Sequence, residues 1–128
     1  MRRYLACVTV FLCTCSGVYA QHRAQLDCQG VMGDVSATLV GIRQYTPFNA
    51  EGDGYVEFDG NISAGGITGQ MLYEGYTRTA PFDGVIRTSQ GSLSISVLDN
   101  TGGQMIIYSG TPTLGPPQTI GRFVCQWQ

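Results

Sequence analysis

The sequence predicts a small all-β domain, an antiparallel sandwich or barrel of about seven strands whose first and last strands are tied by one disulfide. Apolar and polar residues alternate along much of the chain, which is the pattern of half-buried strands. Glycine interrupts the chain at short intervals, and no long window carries an apolar stripe at helical spacing. After residue 20 the only cysteines are Cys28 and Cys125, which stand near the two ends of the remaining chain.

The first twenty residues have the composition of a secretory signal peptide. Two arginines follow the first methionine, an uncharged apolar stretch runs from Tyr4 to Cys15, and Val18 and Ala20 suit the small cleavage subsites. A membrane-spanning helix needs about twenty apolar residues, and this stretch is broken at Ser16-Gly17. We therefore expect cleavage after Ala20 and a secreted or periplasmic protein.

This interpretation divides the chain into residues 1–20 as signal peptide, 21–27 as a flexible mature N-terminus and 28–128 as a single all-β domain. The 108 residues after the signal are enough for one domain with a modest core. The alternative is a lipid anchor through Cys15, because Leu12 stands three residues before it. Thr14, however, is large for the position before a lipid-modified cysteine.

The balance of charge after residue 20 limits the classes of partner. Five arginines stand against nine acidic residues, a net charge of −4, and the chain contains no lysine. Nucleic acids and anionic membranes are bound by clusters of basic residues. We therefore expect no nucleic-acid partner, and no transmembrane span once the signal peptide is removed.

Cys28 and Cys125 are expected to form a disulfide, because exported proteins mature in oxidising compartments. Two cysteines without a neighbouring histidine cannot supply the four ligands that zinc requires. A bridge across a loop of this length stabilises the fold by about 4.7 kcal/mol in the chain-entropy model. It also places the first strand beside the last, which favours a closed sheet or a sandwich.

Period-two alternation locates the other strands. In Ser92–Val97, leucine, isoleucine and valine alternate with serine, as expected for a strand with one buried face. Val56, Phe58 and Ile62 repeat the pattern, and the last strand carries Cys125 on its inward face. The remaining strands are assigned to Val35–Arg43, Ile67–Tyr76, Phe82–Thr88 and Gln104–Ser109.

No catalytic residue is expected. His22 is the only histidine and lies at the start of the mature chain, where the backbone is usually mobile, so no serine or cysteine has a histidine base. Asp53, Glu57 and Asp59 are candidate calcium ligands, but the twelve-residue calcium-loop pattern is missing. We predict no metal and no cofactor.

One carboxylate pair leaves an enzymatic alternative open. Glu57 and Asp59 share one face of a strand, about 6.7 Å apart along it, with Tyr55 on the same side. That separation suits the two carboxylates of a glycoside hydrolase. The same spacing is typical of a solvated strand face, which is the interpretation that we favour.

Aromatic and arginine residues in loops are the candidates for partner contact. The loops are Gln44–Gly54, Glu74–Pro81 and the proline-rich Thr111–Thr119. Tyrosine, phenylalanine and arginine are the side chains that most often anchor interfaces. Aromatic rings in such loops also often fold back to cap the ends of a sheet. The candidate contact residues are Tyr45, Phe48, Tyr76 and Arg78.

These features favour an exported, non-catalytic domain that binds a protein or a glycan through its loops, such as an inhibitor or an envelope accessory factor. Its early and late cysteines, with Asp27-Cys28-Gln29-Gly30 near the start, are similar in placement to those of small exported bacterial inhibitors of lysozymes and proteases. The similarity covers the cysteines alone and carries over no functional residue. Two other functions stay open, a small carbohydrate-active hydrolase that uses Glu57 and Asp59, and a structural subunit that joins a surface assembly through an open strand edge.

Overall fold

The computed structural model of the protein describes residues 21–100, 103–110 and 118–127. The predicted signal peptide, Cys15 and residues 111–117 of the proline-rich loop lie outside these ranges, so the predictions made for them stay predictions. The described residues form eight strands and a 3-10 helix. In chain order these are β1 (His22–Met32), β2 (Val35–Pro47), β3 (Gly54–Ala64), β4 (Ile67–Tyr76), the helix (Thr77–Thr79), β5 (Phe82–Thr88), β6 (Gly91–Asn100), β7 (Gln104–Ser109) and β8 (Thr119–Trp127).

The strands form one closed antiparallel barrel. Each strand pairs with the next along the chain, and β1 pairs with β8 to complete the ring. The predicted all-β fold is confirmed, and of the two expected architectures the barrel is the one that forms. The described residues contain eight strands rather than about seven.

The first strand begins earlier than the sequence indicates. Residues 21–27 are expected to be flexible, yet β1 starts at His22, which stands opposite Tyr45 in the pairing with β2. Leu26 faces inward and is only 1% exposed. The periodicity misses this segment because it contains few apolar residues, whereas β2 is long enough to offer backbone partners to all of β1.

The disulfide lies where the barrel closes. Cys28 stands directly opposite Cys125 in the pairing of β1 with β8, with 4.0 Å between their Cα atoms. Both residues are buried in the core. The predicted bridge between the first and last strands is therefore confirmed, and it joins residues that are 97 positions apart in sequence.

The two ends of the barrel carry different connections. We call the end that holds His22 and Trp127 the upper end, and the end that holds Met32 and Thr119 the lower end. The loop 48–53 and the 3-10 helix connect strands at the upper end. Short turns at 33–34, 65–66 and 89–90 connect strands at the lower end. The two predicted contact loops that carry aromatic residues, Gln44–Gly54 and Glu74–Pro81, therefore lie at the upper end, whereas the proline-rich loop joins β7 to β8 at the lower end.

Three stacked aromatic rings fill the middle of the barrel. The Tyr73 ring lies between those of Phe58 and Phe82, with centroid distances of 4.9 and 5.6 Å. Gly41 and Gly60 stand opposite each other beneath the Phe58 ring, and a β-carbon on either glycine would come within 2.6 Å of that ring. The glycine pair thus provides the space that the ring occupies.

A charged pair is buried on the upper side of this stack. Arg43 Nε donates a hydrogen bond to Asp99 Oδ2 over 2.5 Å, and only 8% and 3% of the two side chains are exposed. The Tyr73 hydroxyl donates to the same carboxylate, and burial together with the Asp99 charge raises the pKa of Tyr73. The guanidinium carbon of Arg43 lies 5.3 Å from the Trp127 ring centre and 6.0 Å from that of Tyr45. The Arg43 charge is thus balanced by a carboxylate and flanked by two aromatic rings.

Reduction of the disulfide should lower the free energy of unfolding by about 2–5 kcal/mol, because the reduced unfolded chain regains conformations that the bridge denies it. Urea unfolding followed by circular dichroism, with and without reductant, measures the difference. A Cys28→Ser/Cys125→Ser variant should be as destabilised as the reduced protein and should not respond to reductant. An unchanged unfolding midpoint after complete reduction would show that the pairing of β1 with β8 is equally stable without the bridge.

Asp99→Ala should destabilise the barrel by about 3–5 kcal/mol, because it leaves the Arg43 charge buried and unpaired. Combining it with Arg43→Met should recover part of this loss, since no charge then remains in the interior. Unfolding midpoints of the two single variants and the double variant test the coupling. If the two losses simply add, the two side chains do not stabilise each other.

Candidate functional site

Two upper-end connections bring three of the predicted contact residues together. Phe48 follows β2 in the loop to β3, and Tyr76 ends β4 just before the 3-10 helix that carries Arg78. The rings of Phe48 and Tyr76 pack on each other with centroids 5.8 Å apart. Each of the two residues is nevertheless 53% exposed, so about half of each faces solvent.

A third aromatic residue, Tyr55, extends this group, although it was not among the contact residues predicted from the sequence. Tyr55 stands opposite Tyr76 in the pairing of β3 with β4, and the two ring centroids are 4.9 Å apart in an edge-to-face arrangement. The residues are far apart in sequence, so only the strand register reveals their contact. We call Phe48, Tyr55, Tyr76 and Arg78 the rim surface.

The rim surface borders a shallow crevice of about 420 Å³. One wall is the loop 48–53, and the other runs from Tyr76 through the 3-10 helix to Thr79. The two walls are joined by a hydrogen bond from the Gly54 amide to Thr77 Oγ1, 3.0 Å long. The loop and the helix therefore hold a defined spacing.

The loop 48–53 is held by the side chain of Asn49, another residue that the sequence analysis missed. Asn49 Oδ1 accepts hydrogen bonds from the amides of Glu51 and Asp53, at 3.0 and 3.1 Å. Asn49 Nδ2 donates to Asp53 Oδ2 over 2.9 Å, and the Phe48 amide donates to the Asp53 carbonyl over 2.7 Å. An asparagine after Pro47-Phe48 is typical turn chemistry, which is the signal that could have identified it. These contacts fix the loop that presents Phe48.

Arg78 is tied to the same loop through an ion pair. Its Nη2 donates to Asp53 Oδ2 over 2.6 Å, while 76% of the Arg78 side chain stays exposed. This hydrogen bond, followed by the one from Asn49, lowers the pKa of Asp53 below its ordinary value of 3.8. Asp53 in turn raises the pKa of Arg78. The contribution of the pair to stability is therefore present above pH 3.8 and is lost as the pH falls through the lowered pKa.

Tyr45, the fourth predicted contact residue, is separated from the other three. It lies on the inward face of β2, where it packs against the core. Its hydroxyl donates to the Gly52 carbonyl, and its ring stacks on that of His22 at 5.9 Å. Its contacts therefore connect the loop 48–53 to the interior of the upper end, and we do not include it in the rim surface.

A row of carboxylates runs across the outer face below the rim surface. Glu57 stands opposite Glu74, and Glu74 stands opposite Asp83, so β3, β4 and β5 each contribute one acid to the row. Asp59 lies two residues further along β3, and all four acids are exposed. The Tyr55 hydroxyl donates to Glu74 Oε1 at the rim side of the row. This hydrogen bond to a carboxylate is the main reason that the pKa of Tyr55 rises to about 12.

The two carboxylates of the hydrolase alternative belong to this outer face. Glu57 and Asp59 line a groove of about 770 Å³ on the outside of the barrel, together with apolar residues that include Leu72 and Val85.

Among residues 21–100, 103–110 and 118–127, no group of three or more histidine, cysteine or acidic side chains has the arrangement of a metal site. Over the same residues, no helix combines the length and the apolarity that crossing a membrane requires.

Comparison with family models, with curated proteins and with solved structures finds no match. The function is therefore inferred from the geometry of the chain itself.

Glu74→Gln should lower the pKa of Tyr55 from about 12 toward its ordinary value of 10.0, because both the hydrogen bond to a carboxylate and the neighbouring negative charge disappear. In the unmodified protein the raised pKa contributes stability that is complete below pH 10.0 and is lost as the pH rises toward 12. The ultraviolet absorbance of tyrosinate during an alkaline titration measures the change. Tyr55→Phe identifies the transition of this residue, and an unaltered titration in Glu74→Gln would exclude the hydrogen bond.

Proposed function

We propose that this protein is an exported, non-catalytic binding domain whose rim surface contacts a protein partner. The observation that carries the proposal is the packing of Phe48 on Tyr76, extended by Tyr55, in a position where half of Phe48 and Tyr76 faces solvent. Exposed apolar patches bordered by polar residues are typical of interaction sites. Aromatic side chains and arginine are also the types that contribute most binding energy at interfaces.

The rim surface is already ordered before any partner arrives. Asn49 holds the loop that presents Phe48, and the Asp53–Arg78 ion pair joins that loop to the 3-10 helix. Ordering a flexible side chain on binding costs about 0.5–1.5 kcal/mol, so a surface that is already ordered binds more tightly for the same contacts. Most of the Arg78 side chain stays exposed, which leaves it accessible to a partner.

A protein partner is favoured over a glycan by the angles between the rings. Sugar rings stack best on a flat aromatic platform, whereas the planes of Phe48 and Tyr76 are inclined by 49° and those of Tyr55 and Tyr76 by 72°. Such an arrangement makes a ridged surface with a crevice beside it. Ridged aromatic surfaces suit the side chains of another protein, which insert between the rings.

We infer that the protein acts outside the cytoplasm, either secreted or in a periplasm. The support comes from the Cys28–Cys125 disulfide, since such bonds persist in oxidising compartments. The charged, apolar and small-residue pattern of residues 1–20 supports the same location. An inhibitor or an envelope accessory factor is the kind of binding domain that this location favours.

Phe48→Ala and Tyr76→Ala should each weaken partner binding by about tenfold or more, which is the loss typical of a central aromatic anchor. The mature domain, immobilised, is used to capture proteins from a secreted or envelope fraction, and the captured protein is then titrated against each variant. Val124→Ala is the matched control, because Val124 is an apolar residue with 65% exposure on the outer face of β8. Failure to capture any protein, capture of a glycan alone, or equal affinity of all variants would contradict a rim surface that binds protein.

The outer groove supports a second candidate, a glycoside hydrolase. Glu57 and Asp59 line the same groove of about 770 Å³, with Glu74 and Asp83 beside them. In an inverting hydrolase one carboxyl group protonates the leaving oxygen and the other activates water, at a separation of about 6.5–9.5 Å. The test is hydrolysis of a panel of soluble glycans by the unmodified domain, Glu57→Gln and Asp59→Asn. Activity that survives both substitutions would exclude the pair.

The structural-subunit alternative depends on an open strand edge. Among the described strands every edge is paired, because β1 and β8 close the ring. Addition of a strand from another chain would therefore require one of these pairings to open. No observation favours a structural subunit over a domain that binds its partner through the rim surface.

A further inference from the structure

The side chains of the described residues do not fill the interior of the barrel at its lower end. A crevice of about 380 Å³ opens there, and its walls come from β1 and from β3 to β6. We call this crevice the lower mouth. Its main apolar walls are formed by Met32, Ile62, Ala64, Ile67, Ile86 and Leu93.

Small residues at inward positions leave this space open. By strand alternation Ala64, Gly69 and Gly91 share the inward faces of the buried residues on their own strands, so the interior meets only a methyl group or backbone at these three positions. An eight-stranded barrel is just wide enough for its interior to be filled by side chains or to hold one small ligand. The aromatic stack fills the middle of this barrel, whereas none of the described side chains that line the lower mouth is of comparable size.

Apolar side chains that point inward are exposed around this opening. Val35, Ile67 and Leu93 are 44%, 47% and 46% exposed, although each faces the interior. Two residues further along the same strands, Ala37 and Ile95 are 5% and 0% exposed. The apolar core is therefore continuous with the lower mouth and reaches solvent there, and an apolar occupant would remove that surface from water.

The chemistry of the lining indicates the kind of occupant. Within the described part of the chain no charged side chain lines the lower mouth. The polar lining residues are Thr88, Gln90 and Ser92, which all belong to the hairpin between β5 and β6 on one side of the opening. The volume is near the small end of the range for ligand sites, about 300–1,000 Å³, and the mouths of β-barrels are frequent positions for such sites.

We propose that the lower mouth binds one small uncharged amphiphile, a molecule with a hydrocarbon body and a single hydroxyl or amide group. The hydrocarbon lies against Ile62, Ile86 and Leu93, and the polar group faces the hairpin that carries Gln90. This site is at the opposite end of the barrel from the rim surface and does not depend on the proposed function.

The test uses 1-decanol as the probe, titrated calorimetrically into the mature, disulfide-bonded domain. We expect saturable binding of one molecule per chain. Leu93→Gln should weaken it about tenfold, because a polar group then enters the apolar wall. Leu98→Gln is the matched control, since Leu98 lies on the same strand with a similar exposure of 37% but on the outward face. Its affinity should equal that of the unmodified domain.

A second variant tests the cavity without adding polarity. Ala64→Leu places a larger apolar side chain in the lower mouth and should abolish decanol binding, while circular dichroism shows that the barrel is retained. The proposal is overturned if the unmodified domain gives no saturable heat, if Leu93→Gln and Leu98→Gln weaken binding equally, or if binding survives Ala64→Leu. It is also overturned if sedimentation shows a dimer that Leu93→Gln dissociates and decanol does not, because a second copy would then occupy the mouth.

Discussion

The pairing of β1 with β8 is the constraint on which the rest of this structure depends. It turns a meander of strands into a closed ring and leaves none of the described strands with an open edge. Bringing together strands from the two ends of a chain costs the most conformational entropy, because the loop that is closed is the longest. Here the Cys28–Cys125 bridge offsets that cost at the pairing of β1 with β8. A small domain with a modest core gains more from such a bridge than a large one does.

Closure of the barrel also sets the width of its interior, and the inward-facing residues of each strand determine what fills that interior. In the middle, three aromatic rings fill it, and the opposed Gly41 and Gly60 make room for one of them. Toward the upper end, Arg43 and Asp99 introduce charge that is tolerated because each neutralises the other. Toward the lower end, alanine and glycine leave an apolar opening. Among the described residues, one end of the barrel interior thus holds a buried charged pair, and the other end has an apolar opening.

The outer surface of the upper end combines two properties that would restrict the choice of the proposed protein partner. The rim surface offers apolar contact and a cation, whereas the neighbouring row of Glu57, Glu74 and Asp83 places like charges directly opposite one another. Such pairings weaken a sheet, and here the Tyr55 hydroxyl offers Glu74 one stabilising hydrogen bond. An acidic partner approaching the rim surface would meet electrostatic repulsion from this row. The proposed binding at the rim surface would therefore combine aromatic contact with discrimination by charge.

Local pattern in the sequence was sufficient to predict the all-β fold, most of the strands with their buried faces, and the disulfide, because alternation depends on near neighbours and the cysteine pair fits the expected oxidising compartment. It did not predict that β1 begins as early as His22. Local pattern also selected Tyr45, Phe48, Tyr76 and Arg78 as candidate contact residues, and the structure exposes the last three while Tyr45 packs against the core. Alternation is the same in a sandwich and in a barrel, so only the tertiary structure decided between them. The tertiary structure alone also decided which side chains meet. Arg43 and Asp99 are 56 residues apart, and Tyr55 reaches Tyr76 only through the register of β3 with β4. Such contacts depend on how distant strands align around the closed ring, which no local pattern records.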